Sequence, residues 1–119
     1  MFYLCSMMKY QQYTDQAVAL LKALIATPSV SRHEDKAVEV LVQAIHDCGF
    51  SPRREGNNVW IKDPNFNVAR PTLLLNAHID TVKPVSSWTR EPFAPTIEGD
   101  RLYGLGSNDC GGGLVSLLQ

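Results

Sequence analysis

His78 and Asp80 stand two residues apart at the end of an apolar run, and Asp109 follows further on inside a glycine-dense turn. In an extended chain, residues two apart project to the same side. Imidazole is a good ligand for zinc or cobalt, and a carboxylate that accepts the other ring N–H fixes its tautomer and direction. Spacing alone equally allows Asp80 to touch a metal directly. Asp109 lies in Tyr103-Gly104-Leu105-Gly106-Ser107-Asn108-Asp109-Cys110-Gly111-Gly112-Gly113, where glycines permit close backbone approach just ahead of a helix. A carboxylate held there can bridge two metal ions, and a pair roughly 3.5–4 Å apart can activate a shared water. The blander alternatives are a strand-end pair that satisfies loop backbone and a plain strand-to-helix turn. Phosphate binding fits poorly: Gly104-x-Gly106 has Asp109 where a dinucleotide fingerprint needs its third glycine, and no Lys-Ser/Thr follows Gly111.

These residues need elements to hold them. Thr72-Leu73-Leu74-Leu75-Asn76-Ala77 is continuously apolar rather than alternating, which predicts a central strand covered on both faces and delivering His78 at its C-terminal end. Upstream, Thr14-Asp15 is expected to cap a helix through Gln16–Ile25, closed by Pro28. Ser31-Arg32-His33-Glu34 reads as a capping box, with the Ser31 hydroxyl on the Glu34 amide and the Glu34 side chain reaching back. The helix after it turns Ala37, Val38, Val40, Leu41, Ala44 and Ile45 toward a core and stops at Gly49. Phe50–Glu55 and Val59–Ile61 form a strand pair through Gly56-Asn57-Asn58, and Thr96-Ile97 pairs with Arg101-Leu102-Tyr103 through Glu98-Gly99-Asp100. Between them, Val82–Pro95 reads as irregular, with Trp88 placed to line a pocket. His33 and His46 read as surface residues. Leu114–Gln119 begins a helix little more than one turn long, so the chain is expected to stop inside a domain.

Composition narrows the function classes. A length of 119 residues suits about one small domain. A net charge of −1 with scattered Lys and Arg argues against nucleic-acid or anionic-membrane partners. Cys5, Cys48 and Cys110 are an odd set without CxxC spacing, which suits a reducing, cytoplasmic setting; Cys5 and Cys48 read as inert small hydrophobes, and Cys110 is not read as a ligand. No run is long enough to span a bilayer, and the apolar start lacks the basic region of a signal peptide.

The stretch Leu73–Gly113 resembles the zinc-dependent family of acetylornithine deacetylase, succinyl-diaminopimelate desuccinylase, aminoacylase-1 and glutamate carboxypeptidase. Its H-x-D-T-V signature matches His78-Ile79-Asp80-Thr81-Val82. Its G-x-G-x-x-D-x-K-G-G signature matches Gly104, Gly106, Asp109, Gly112 and Gly113, with Gly111, after Cys110, where the signature has Lys. Pro28-Ser29-Val30-Ser31 followed by Glu34 is similar to the family's N-terminal region. The Gly104–Asp109 loop is similar to that of short acetylornithine deacetylases.

The resemblance implies an α/β fold, the N-terminal part of a three-layer α/β/α zinc-peptidase-like catalytic domain. Residues 1–119 would be its truncated first portion, without the helical lid used for dimerisation and without the C-terminal half. It implies that His78 binds one metal, that Asp109 bridges both, and that Asp80 serves the catalytic centre by orienting His78. Two zinc ions per site are implied, with cobalt as a substitute. The implied reaction is hydrolysis of the amide bond of a small-molecule N-acyl amino acid, N-acetylornithine first, in a homodimeric full-length protein. A dipeptidase, carboxypeptidase or desuccinylase of the same family and a non-catalytic remnant are the alternatives. The family's general-base Glu and its remaining ligands fall downstream of Gln119, so this chain alone is expected to be inactive.

Overall fold

The computed structural model describes residues 2–119, with side chains from Tyr10 onward. A long first helix, α1 (Phe2–Ile25), is the element on which the rest is laid. It begins upstream of Thr14-Asp15, so the expected cap does not form. Both side chains are spent inside the helix instead: Thr14 Oγ1 donates to the Tyr10 carbonyl at 3.0 Å, and Gln11 Nε2 donates to Asp15 Oδ1 at 2.9 Å. With no proline or glycine before Thr14, nothing stops the helix from continuing backward past it.

The second helix, α2 (Asp35–Asp47), buries Ala37, Val38, Leu41 and Ile45, the stripe expected from their spacing. Gly49, at φ +84°, ends it in the left-handed conformation that glycine adopts without cost. His33 and His46 are exposed, as read from the sequence. Two antiparallel hairpins follow: β1 (Arg53–Glu55) with β2 (Asn58–Trp60), and β3 (Thr96–Glu98) with β4 (Arg101–Tyr103). Each turns through a two-residue loop whose first residue is a glycine at positive φ, Gly56 and Gly99. A wide π-helical turn at Ser107–Gly111 then leads into the short helix α3 (Gly112–Leu117).

The core sits between the helices and the glycine turn. Leu21, Leu24 and Ile25 of α1 pack with Ala37 of α2 and Val115 of α3, and Ile79, Leu102 and Leu114 close the edges. Together these elements make a mixed helix-and-strand architecture.

The expected central strand is the main departure. Among the described residues, no strand pairs with Thr72–Ala77, and Leu73, Leu74 and Leu75 are 82%, 80% and 59% exposed. A strand in the middle of a sheet exists by virtue of ladder partners on both sides. The four short strands here are used up on one another. What fixes the segment is a single parallel bridge, Val30 to Thr81, placed just beyond His78.

Candidate metal-ligand site

That bridge builds the first half of the site. The Ser31 amide donates to the Thr81 carbonyl at 3.1 Å, and the Thr81 amide donates to the Ser29 carbonyl at 2.9 Å. Ser29, itself buried, adds a hydroxyl bond to the Ile79 carbonyl at 3.0 Å. The segment from Ser29 to Ser31 is thereby clipped alongside residues 79–81, and His78 and Asp80 emerge from the clip.

Glycines build the second half. Gly106 takes φ +77°, and a Cβ placed there would lie 2.7 Å from Thr81 Cγ2. A Cβ at Gly111 would lie 2.6 Å from both the Gly106 carbonyl oxygen and Leu21 Cδ1. The turn is therefore seated directly on α1 and on Thr81, closer than any side chain permits. This seating brings Asp109 over His78.

The two halves meet at the imidazole. His78 Nε2 lies 3.0 Å from Asp109 Oδ1. On the other side of the ring, Nδ1 lies 3.0 Å from the Asp80 carbonyl oxygen and 3.2 Å from Asp80 Oδ1. Asp80 Oδ2 in turn accepts the Ser31 hydroxyl at 2.5 Å. The Asp109 carboxylate above all holds the His78 imidazole above the usual histidine range; burial opposes it, and the Asp80 carbonyl and carboxylate add to the rise. The Ser31 hydroxyl, then the neighbouring imidazole, holds the Asp80 carboxyl below the usual range. An acceptor faces each ring nitrogen, and a cation at Nε2 would take the place of a proton there.

The group opens onto a cleft of about 340 Å³ lined by Ser31, His78, Asp80, Trp88, Asn108 and Asp109 among others. Trp88 thus stands where the sequence reading put it. The lining contains two carboxylates and neither Lys nor Arg, so the cleft attracts cations. Cys110 is half-buried and does not line this cleft; it lines a small, mostly apolar gap with Leu21, Leu24, Ile25 and Leu114, bordered by His78. Its apolar surroundings support reading it as packing rather than as a ligand.

Two expectations at this end of the chain change. Ser31 and Glu34 do not form a capping box: α2 has no side-chain cap bond, because Ser31 is engaged by Asp80. Glu34 accepts instead from the Arg32 amide and from Asn57 Nδ2, the latter at 2.7 Å, which ties the start of α2 to the first hairpin. The role of Ser31 beside Asp80 was not visible in the sequence, since a contact across such a separation has no local pattern.

A zinc or cobalt ion can be tested against this donor set. One imidazole nitrogen and one carboxylate oxygen converge on the same edge of an anionic cleft, which is the ligand chemistry such ions take. Among the described residues, no three His, Cys, Asp or Glu side chains form a complete metal cage. The site fits as part of a ligand set.

Residues 74–119 match the model of the Peptidase family M20/M25/M40. The matched segment contains His78, Asp80 and Asp109, the three residues singled out by chemistry. The chain is also similar to proteins named succinyl-diaminopimelate desuccinylase. It is 35% identical to that of Methylorubrum populi over 114 residues, 88% of this chain and 30% of the relative. It is 30% identical to that of Delftia acidovorans over 104 residues, 79% of this chain and 27% of the relative. It is 33% identical to that of Gluconobacter oxydans over 106 residues, 85% of this chain and 28% of the relative. The chain thus spans under a third of the length of the curated relatives it matches. The matches support the M20 peptidase family and not acetylornithine deacetylase in particular. The mixed helix-and-strand architecture agrees with the first part of an M20 α/β domain. No helix among the described residues is long and apolar enough to cross a membrane.

Proposed function

We propose that this chain is the N-terminal part of the catalytic domain of a metal-dependent hydrolase that cleaves the amide bond of an N-acyl amino acid. The observation that carries the reading is the approach of His78 Nε2 to Asp109 Oδ1 at 3.0 Å, with Asp80 behind the ring. His78 and Asp109 would hold zinc, or cobalt in its place, and Asp109 has a second oxygen free to serve a second ion. When bound, such metals polarise an amide carbonyl and make water a nucleophile near neutral pH. Asp80 keeps the Nδ1 proton in place so that Nε2 presents its lone pair to the cleft. Catalytic zinc takes three protein ligands as a rule. The remaining ligands and the general base therefore belong to other parts of a full-length protein, and residues 1–119 alone would not turn over substrate.

The desuccinylase relatives favour a succinyl group over the acetyl group of N-acetylornithine, which the Gly104–Asp109 loop suggests. The free thiols of Cys48 and Cys110 suit a cytoplasmic setting, and a homodimer is the assembly that the family resemblance supports. The test is hydrolysis of N-succinyl-diaminopimelate and N-acetylornithine by the full-length protein supplied with zinc or cobalt. Asp109→Asn should abolish turnover and weaken metal occupancy; retained turnover would overturn the reading.

A further inference from the structure

We propose that Ser31 is a positioning residue for the metal-ligand site, holding the Asp80 carboxylate in the one orientation that directs His78 toward Asp109. The inference rests on the functional reading above and extends it to a residue outside both signature stretches.

Asp80 is 39% exposed at its side chain, so packing does not choose its rotamer. Its χ1 therefore has three staggered wells open to it. What chooses it is the Ser31 hydroxyl, which donates to Oδ2 at 2.5 Å. With Oδ2 taken, Oδ1 is the oxygen left at 3.2 Å from His78 Nδ1. A hydrogen bond to an ionised acceptor is about twice as strong as a neutral one. The carboxylate therefore adds substantially to what the Asp80 carbonyl does for Nδ1 at 3.0 Å. The chain of contacts is short and continuous: Ser31 Oγ, the two Asp80 oxygens, the two His78 nitrogens, Asp109 Oδ1.

Ser31 is also itself fixed by backbone. Its amide is bonded to the Thr81 carbonyl, and the neighbouring Ser29–Thr81 bond completes the bridge. Both bonds survive removal of the hydroxyl. Ser31 is exposed and caps no helix, so Ser31→Ala removes the hold on Asp80 and little else. This separates a positioning role from a structural one.

The experiment compares the 119-residue chain with its Ser31→Ala and Ser31→Thr variants by NMR. In the parent chain, the α–β proton couplings of Asp80 should report a single rotamer. Ser31→Ala should average them while circular dichroism stays the same, and Ser31→Thr, which keeps a hydroxyl, should restore them. Zinc is then added, followed through the His78 ring-nitrogen shifts, with affinity expected to fall about tenfold in Ser31→Ala, as for loss of an outer-shell partner. An unaveraged Asp80 in Ser31→Ala overturns the proposal, as does equal zinc affinity in Ser31→Ala and the parent. If zinc shifts no His78 signal in this partial ligand set, the Asp80 couplings still decide the Ser31–Asp80 hold, and the zinc titration is repeated on the full-length protein, where an absent His78 shift sinks the metal reading.

Discussion

Gly111→Ala should destabilise this chain, although by helix propensity alone the change would help. Gly111 has ordinary helical angles, φ −55° and ψ −46°, so alanine meets no backbone strain there. Replacing glycine by alanine at such a position commonly stabilises by about 0.4–1 kcal/mol. The new Cβ, however, would sit 2.6 Å from the Gly106 carbonyl oxygen and from Leu21 Cδ1, against 3.4 Å or more for ordinary contact. Neither neighbour can easily retreat. The carbonyl accepts the Gly111 amide itself at 2.9 Å, and Leu21 is in the core of α1. Overpacking of this kind costs about 1–3 kcal/mol, which outweighs the propensity gain and reverses its sign. The assay is urea unfolding followed by circular dichroism, with Gly113→Ala as the control. A Cβ at Gly113 meets nothing closer than Cys110 Sγ at 3.4 Å, so that variant should be neutral or more stable by up to about 1 kcal/mol. If Gly111→Ala proves as stable as Gly113→Ala, the close seating of the turn on α1 is wrong, and with it the placement of Asp109 over His78.

Three further outcomes are expected. Val38 is fully buried, so Val38→Ala should lower the unfolding free energy by about 1.5–2.5 kcal/mol, read from the same urea curves. Arg90 makes two bonds to Glu98, at 2.6 and 2.9 Å, and holds that carboxyl below its ordinary range. The pair's contribution is present above the unfolded carboxyl value of about 4.3 and is lost as pH falls through the lower folded value. Arg90→Ala should return the Glu98 titration, followed by carbon NMR, to the ordinary range. His78 runs the other way: raised chiefly by Asp109, it stabilises fully below the unfolded value of about 6.5 and ceases to as pH rises through the folded one. Asp109→Asn should move the His78 proton-NMR titration down toward the ordinary value, and an unchanged midpoint would contradict the contact.

Local signals in the sequence were read well and distant ones were not. The stripe Ala37, Val38, Leu41, Ile45 gave α2, and Gly56 and Gly99 gave both hairpins, because each depends on residues within a few positions. Trp88 and the pairing of His78 with Asp109 were reachable because the residue types carry chemistry. Thr14-Asp15 misled because a cap residue is recognised only where a helix has a reason to begin, and no breaker stands before it. Ser31 and Glu34 misled for a different reason. Their spacing satisfies the capping box, yet Asp80 and Asn57, far along the chain, compete for the same groups and win with charge-assisted bonds. The run Thr72–Ala77 has a strand's composition, but composition cannot supply the neighbours that make it one.

That last segment governs how the chain behaves in a tube. Thr72–Ala77 carries no charge and no proline, and its three leucines face solvent. A short uncharged window with open backbone groups is a template on which copies of itself can stack. Only Arg70-Pro71 on one side and Asp80 on the other act as gatekeepers. Thr72–Ala77 is therefore a window at which copies of the isolated chain are expected to associate, and work at high concentration must contend with it.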